Sequence, residues 1–281
     1  MNICLICQAN LQLLRNVYNY RLVECTNCGV IQLVDSEVNQ VEFIRNTRLR
    51  NDQWRNENPQ MGCDYYSFPE YMEKYQPIFH HFFNQRLQRL RSYGMQTDGG
   101  ILDAGCGFGF FVKHCIDSGI RAAGIDIEPN CVEYAKNHLK LINIHHGTIE
   151  DFNQNGQKYN AIVSCDVLEH CLDPMAFMEA CKKLLLPKGL LYVQVPNVIG
   201  IRVPYGYSLG LPYHIWHYNP KSLKYLFRVN GFKILNYWTG TSGVISQREK
   251  KQGNFLFRLK TTIASIFKIG VRLQMMGRYQ E

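Results

Sequence analysis

No stretch of about 18 consecutive apolar residues occurs in the 281-residue chain, so no membrane-spanning helix is predicted. The opening residues Met1-Asn2-Ile3-Cys4 carry no basic cluster ahead of an apolar run. A secretory signal is therefore not expected there, and a cytoplasmic chain is. Charged side chains make up only 19% of residues against 46% hydrophobic, which excludes wholesale disorder. Acidic residues are fewer than basic ones, 23 against 31, for a formal net charge of +8. The excess is uneven: residues 1–100 are net 0, 101–247 net +2 and 248–281 net +6. A nearly neutral body lacks the broad basic footprint that nucleic-acid binding needs. The length suits one large domain, or one domain with a small module.

The 11 cysteines are not spaced as a disulfide framework. Their odd number, with four of them in two close pairs, points to reducing surroundings and a metal site. Cys4-Leu-Ile-Cys7 and Cys25-Thr-Asn-Cys28-Gly29 form a C-x2-C…C-x2-C pattern. Two residues between thiolates let one tight turn aim both sulfurs at one ion, and two such turns complete a tetrahedral Zn²⁺ shell. With no open position implied, the zinc is expected to be structural. The intervening Tyr18-Asn-Tyr20-Arg-Leu22-Val23 alternates as a strand of a small ribbon. Residues 1–34 read as a zinc-ribbon module and the polar 35–69 as a connector. Apolar positions from Tyr71 to Leu90 recur at helical spacing and predict a helix over 70–93. It is expected to pack on the next domain, with Tyr66, Tyr71 or Tyr75 as weaker pocket-capping candidates.

From residue 100 short apolar runs alternate with amphipathic segments. Strands are expected at 100–103, 121–126, 142–144, 160–164, 190–195 and 232–238, and helices at 109–118, 129–139, 174–186 and 220–230. Repeated β-α units demand an α/β fold with a mostly parallel, doubly wound sheet. Ligands of such sheets bind at the carboxyl ends of the strands. Asp103-Ala-Gly105-Cys-Gly107-Phe-Gly109 stands there, and Asp126 ends the next strand. Glycines let the backbone turn sharply against a ligand, and the acid can accept two ribose hydroxyls. The spacing is G-x-G-x-G, not the G-x-G-x-x-G of a dinucleotide site.

Asp103-x-Gly105-x-Gly107-x-Gly109 resembles motif I of the class I S-adenosylmethionine-dependent methyltransferases. The resemblance runs on through Gly124-Ile-Asp126, His146-Gly-Thr148-Ile149, Tyr159 to Cys165, Asp166-Val-Leu-Glu169-His170 and Pro187-Lys-Gly189. It is similar to a methyltransferase-23-like family with an N-terminal zinc ribbon, many of whose relatives modify sugars, surface glycans or secondary metabolites. The resemblance implies a seven-stranded Rossmann-like sheet over residues 70–247 and S-adenosylmethionine as cofactor. It further implies that Asp103, Gly105, Gly107 and Gly109 cradle the methionine and ribose part, and that Asp126 holds the ribose. Ile127, Thr148 and Ile149 would meet adenine, and Cys165 the methionine part. The family usually has Asp where Thr148 stands.

Methyl transfer needs alignment and, where the acceptor carries one, removal of a proton. Two groups offer a base. Asp166-x-x-Glu169-His170 resembles a set that holds a divalent ion in ubiquinone-pathway O-methyltransferases, while in metal-free relatives the Glu and His orient and cap a helix; the latter reading is preferred. Pro212-Tyr213-His214-Ile-Trp216-His217-Tyr218, on a long 196–219 loop, suits a sugar or ring stacked on aromatics with an imidazole base. His214, His217 and His170 are thus the catalytic candidates.

Residues 248–281 read as a basic amphipathic tail, expected to dock on the domain or another subunit, with peripheral contact at an inner membrane face second. The leading expectation is a methyltransferase acting on a small-molecule or glycan-linked substrate, with no nucleic acid. The alternatives are a zinc-ribbon RNA methyltransferase, an O-methyltransferase of a catechol or quinone with a divalent ion, and a non-catalytic scaffold.

Overall fold

A computed structural model describes residues 3–17, 20–34, 69–96, 98–152, 156–199, 210–211, 213–240 and 255–280. Most of the 35–69 connector, Tyr66 and Pro212 lie outside the described residues. Near the N-terminus, β1 (Leu11–Val17) and β2 (Tyr20–Cys25) form a hairpin, and β3 (Ile31–Leu33) pairs antiparallel with β2. Leu22, Ile31 and Leu33 are buried on one side of this ribbon. The single helix expected over 70–93 is two: α1 (Pro69–Lys74) and α2 (Gln76–Ser92), with Tyr75 at the break. Pro77 sits in the first turn of α2, where its missing N–H costs nothing but prevents a continuous helix. Tyr71 is buried, with Tyr75 and Phe79 edge-on to its ring.

The sheet is built from β4 (Ile101–Ala104), β5 (Ala122–Asp126), β6 (Ile144–His146), β7 (Tyr159–Cys165), β8 (Leu185–Pro196), β10 (Phe232–Gly240) and β11 (Arg272–Tyr279). Its order is β10-β11-β8-β7-β4-β5-β6. The helices α3 (Phe110–Asp117), α4 (Pro129–Asn137), α5 (Pro174–Leu184) and α6 (Pro220–Val229) follow strands as the β-α pattern requires. Prolines open α4, α5 and α6, and Glu128, Asp173 and Asn219 cap them through side-chain bonds to backbone N–H groups. Asp173, not Glu169 or His170, is therefore the cap of α5, against the helix-capping reading of that pair. The short strand expected at 142–144 lies two residues later, since Ile142 is exposed and Ile144 is buried.

The largest correction concerns the C-terminal segment. The described part of that segment, residues 255–280, is no separable tail. It forms α7 (Phe255–Ile266) and then β11, which lies antiparallel between β8 and β10. Leu273, Met275 and Met276 are fully buried in it. The domain thus runs past residue 247. A chain ending at residue 247 should lose its cooperative urea unfolding transition altogether. Leu273→Ala in the full chain should cost about 2–5 kcal/mol in the same measurement. A truncated chain that unfolds as the parent does would contradict the seven-stranded arrangement.

Candidate active site

The glycine loop leaves β4 at its carboxyl end. Gly105, Gly107 and Gly109 all adopt positive φ, at 83°, 52° and 80°. A Cβ on Gly105 would collide with Val167, and one on Gly109 would stand 2.8 Å from Leu141. A Cβ on Gly107 would meet nothing within 4 Å, so that side of the loop is open. The Gly107 N–H donates to Oδ2 of Asp126 at 2.6 Å, and the Glu128 N–H to its Oδ1 at 2.9 Å. Two backbone donors thus fix the carboxylate at the end of β5, with lone pairs to spare. Ile127 follows it, and its carbonyl meets Nε2 of His146 at 3.1 Å. The Thr148 hydroxyl donates to the Asp151 carboxylate at 3.0 Å, and Ile149 is buried in the core.

Asp103 is buried, and burial pushes its carboxyl up to about 7 against the pull of the Arg86 guanidinium. Burial also pushes the Cys165 thiol up to about 12, so it stays protonated. Arg86, on α2, lies over the Phe111 ring with its guanidinium carbon 4.4 Å from the centroid. It makes no ion pair among the described residues. Sequence reasoning missed Arg86 because nothing in a helical stripe marks one arginine as turned inward.

Across the ends of β7, β8 and β11 runs a second polar group. Arg272 pairs with Asp166, and Gln194 donates to Asp166 at 3.0 Å. Gln274 donates to Gln194 at 2.8 Å, and Arg89 donates to Gln274 and to the Tyr192 hydroxyl. The network is satisfied end to end and makes a rigid floor. Two of its members come from the segment taken as a tail.

Above it sit Glu169, His170 and His214, whose ligand atoms lie within 4.8 Å of one another. The rings of His170 and His214 are 4.8 Å apart in a T-shape. His170 donates from Nδ1 to the Tyr213 carbonyl at 2.8 Å, which leaves Nε2 as the acceptor nitrogen. Oε2 of Glu169 and Nδ1 of His214 have no hydrogen-bond partner among the described residues. Burial, with His170 and His217 nearby, lowers His214 to about 3, and burial raises Glu169 above the usual carboxylate range. His217 stands further out, its ring 6.4 Å from that of His214, and is almost wholly buried.

His217 belongs to β9 (Trp216–His217), which pairs antiparallel with β3 of the ribbon. The ribbon and the strand that carries His217 are thus one four-stranded sheet. The Leu33 N–H donates to the Ile215 carbonyl, while the N–H groups of Ile215 and Trp216 donate to the Glu169 carbonyl. The Trp216 indole donates to the Cys171 carbonyl at 2.7 Å. On the ribbon's other side, Cys4 and Cys28 lie 3.8 Å apart and Cys7 and Cys25 3.2 Å apart, sulfur to sulfur. A tetrahedral zinc with bonds of about 2.3 Å needs sulfurs about 3.8 Å apart; Cys4 and Cys28 stand at that spacing, Cys7 and Cys25 are closer, and all four sulfurs lie within 4.8 Å of one another, a cluster that could hold the ion. Stripping the metal should therefore release hydrogen-exchange protection at Ile215 and Trp216 and shift Trp216 emission to the red, while β4 and β7 stay protected. Unchanged exchange at Ile215 would contradict this coupling.

A profile of the methyltransferase domain family matches residues 72–237. The ubiquinone biosynthesis O-methyltransferase of Actinobacillus pleuropneumoniae is 34% identical over 106 residues, 34% of this chain and 45% of that protein. The protein of the same name from Methylocella silvestris is 28% identical over 167 residues, 58% of this chain and 65% of that one. The chain thus spans about half to two thirds of these curated relatives. Among solved structures, phosphoethanolamine N-methyltransferase 2 of Haemonchus contortus, in complex with S-adenosyl-L-methionine, aligns with a TM-score of 0.53 at 16% identity, over 70% of this chain and 53% of that one. A SAM dependent methyltransferase from Archaeoglobus fulgidus aligns at 0.50 and 17%, over 71% and 94%. With its profile match over more than half the length and this sheet order, the chain belongs to the methyltransferase domain family and has the class I, Rossmann-like fold.

Proposed function

We propose that the protein transfers a methyl group from S-adenosylmethionine to a hydroxyl of a small-molecule or glycan-linked acceptor. The observation that carries this reading is the cradle: three glycines at positive φ, one open to solvent on its Cβ side and tied by its N–H to Asp126. When bound, the cofactor supplies a methyl group already activated on a sulfonium sulfur. Gly105, Gly107 and Gly109 let the backbone approach the methionine and ribose part, and Asp126 accepts the ribose hydroxyls. Ile127, Thr148 and Ile149 line the adenine side. Arg86 would offer its guanidinium to the carboxylate of the methionine part, and Asp103 and Cys165 would lie on the side of its cationic groups.

On the acceptor side His214 takes the hydroxyl proton through Nδ1, which has no partner among the described residues, and the neighbouring Glu169 carboxyl offsets the burial that disfavours the imidazolium so formed. Glu169 and His170 stand beside it, the His170 ring edge-on to its own. His217 supports the loop from within β9. A second reading is favoured by the same cluster: Glu169, His170 and His214 offer an oxygen and two nitrogens that suit a divalent ion orienting a catechol or quinone-type acceptor. The relatives named for ubiquinone biosynthesis lend it weight. Asp166, the other acid of the motif, is ion-paired to Arg272.

Calorimetry with S-adenosylmethionine tests the cofactor half. Asp126→Ala and Arg86→Ala should each weaken binding at least about tenfold, the equivalent of losing one hydrogen-bonded charge. Because the Asp103 carboxyl of the free protein is protonated below about 7, affinity for the cationic cofactor should fall as pH drops from 8 to 6, and Asp103→Asn should flatten that dependence. Unchanged affinity in Asp126→Ala removes the assignment. For the acceptor half, His214→Ala should cut turnover about 10²- to 10⁴-fold with the cofactor Kd intact. Full turnover in both His214→Ala and His217→Ala would end the imidazole role.

A further inference from the structure

Helix α7 bridges β10 and β11, and it is turned the wrong way for a helix that merely covers a sheet. Ala264 is buried, whereas Phe255, Leu259, Ile263 and Ile266 are exposed, at 74%, 46%, 41% and 69%. At about 100° per residue these four fall within an arc of roughly 80°, with Ala264 on the other side of the helix. Phe267, just past the helix end, is 69% exposed and extends the stripe. A contiguous apolar face of this kind is not left to water in a soluble domain without a purpose.

The charge around the stripe decides what covers it. Arg248, Lys250, Lys251, Arg258, Lys260 and Lys268 lie in and beside this stretch of chain. Glu249 is the one acidic residue in 248–280. A second copy of the chain would bring the same excess of positive charge against itself. An anionic bilayer answers both features, the exposed apolar stripe and the basic excess of the sequence around it. The helix is also anchored rather than loose. Gly270, between α7 and β11, receives a bond from the Asn197 amide at 2.8 Å, and Lys268 lies 4.2 Å over the Tyr237 ring.

We propose that α7 is a peripheral anchor that seats the protein on an anionic lipid surface through Phe255, Leu259, Ile263, Ile266 and Phe267. Arg272, six residues beyond the helix, is paired to Asp166 on the acceptor floor. The anchor therefore holds the acceptor side of the domain close to the lipid surface. The partner is the lipid headgroup layer itself, whatever the acceptor proves to be.

The test is co-sedimentation of the full chain with vesicles of phosphatidylcholine alone and of phosphatidylcholine mixed with phosphatidylglycerol. Partitioning onto the mixed vesicles should be at least about tenfold stronger, and raised salt should weaken it. The double variant Leu259→Glu/Ile266→Glu should reduce it at least about tenfold. Both substitutions fall on exposed positions, so thermal unfolding and the cofactor Kd should match the parent. That cofactor measurement also separates the outcomes, because vesicle binding without cofactor binding would sink the methyl-transfer reading and leave the anchor standing. Three results overturn the anchor: no preference for anionic vesicles, equal partitioning of the double variant, or a dimer in solution that the double variant dissolves while vesicles go unbound.

Discussion

The domain depends on one strand arriving late in the chain. β8 and β10 do not pair with each other. β11 lies between them, antiparallel to both, and supplies buried Leu273, Met275 and Met276 to the core. The same strand turns Arg272 and Gln274 toward Asp166 and Gln194, so one eight-residue element serves both packing and polar architecture. Gly277 shows how tightly it fits, since a Cβ there would stand 2.6 Å from the Phe227 ring. A substitution in this strand therefore reaches the site and the core together.

The second constraint is the pairing of β3 with β9. A metal-clustered ribbon of this size has little core of its own, and its stability leans on its ion. Here it also leans on the domain, because Asn219, the cap of α6, donates to the Gly29 carbonyl at 2.9 Å. In return the ribbon straightens the chain just after His214. The backbone just after His214 is thus gripped from two sides, by the Glu169 carbonyl at the Ile215 N–H and by the Leu33 N–H at the Ile215 carbonyl.

What could be read from the sequence were the features with local signatures. The cysteine pairs, the G-x-G-x-G loop with its acid, the proline-opened helices and the β-α alternation each lie within a few residues of one another. The misses were all non-local or disguised. β11 was hidden because Arg272 to Met275 alternates but Met276 and Gly277 are buried in succession, which blurs the period of two. The preceding helix shares its basic character, so the two ran together as one tail. β9 is only two residues long and takes its pairing from a strand nearly 190 residues earlier. Arg86 and Arg272 became site residues only once the helix and strand had turned them inward.

The position of β11 bears on how the protein is born. Strands β4 to β8 can associate as they emerge, each next to a neighbour already made. Their edge beside β8 stays unpaired until synthesis has passed Tyr279, and β10 cannot dock before then. An open edge beside an apolar strand is a template for mispairing. The protein should thus be most vulnerable to aggregation in the interval between making β10 and making β11, while α7 and its apolar stripe are being added.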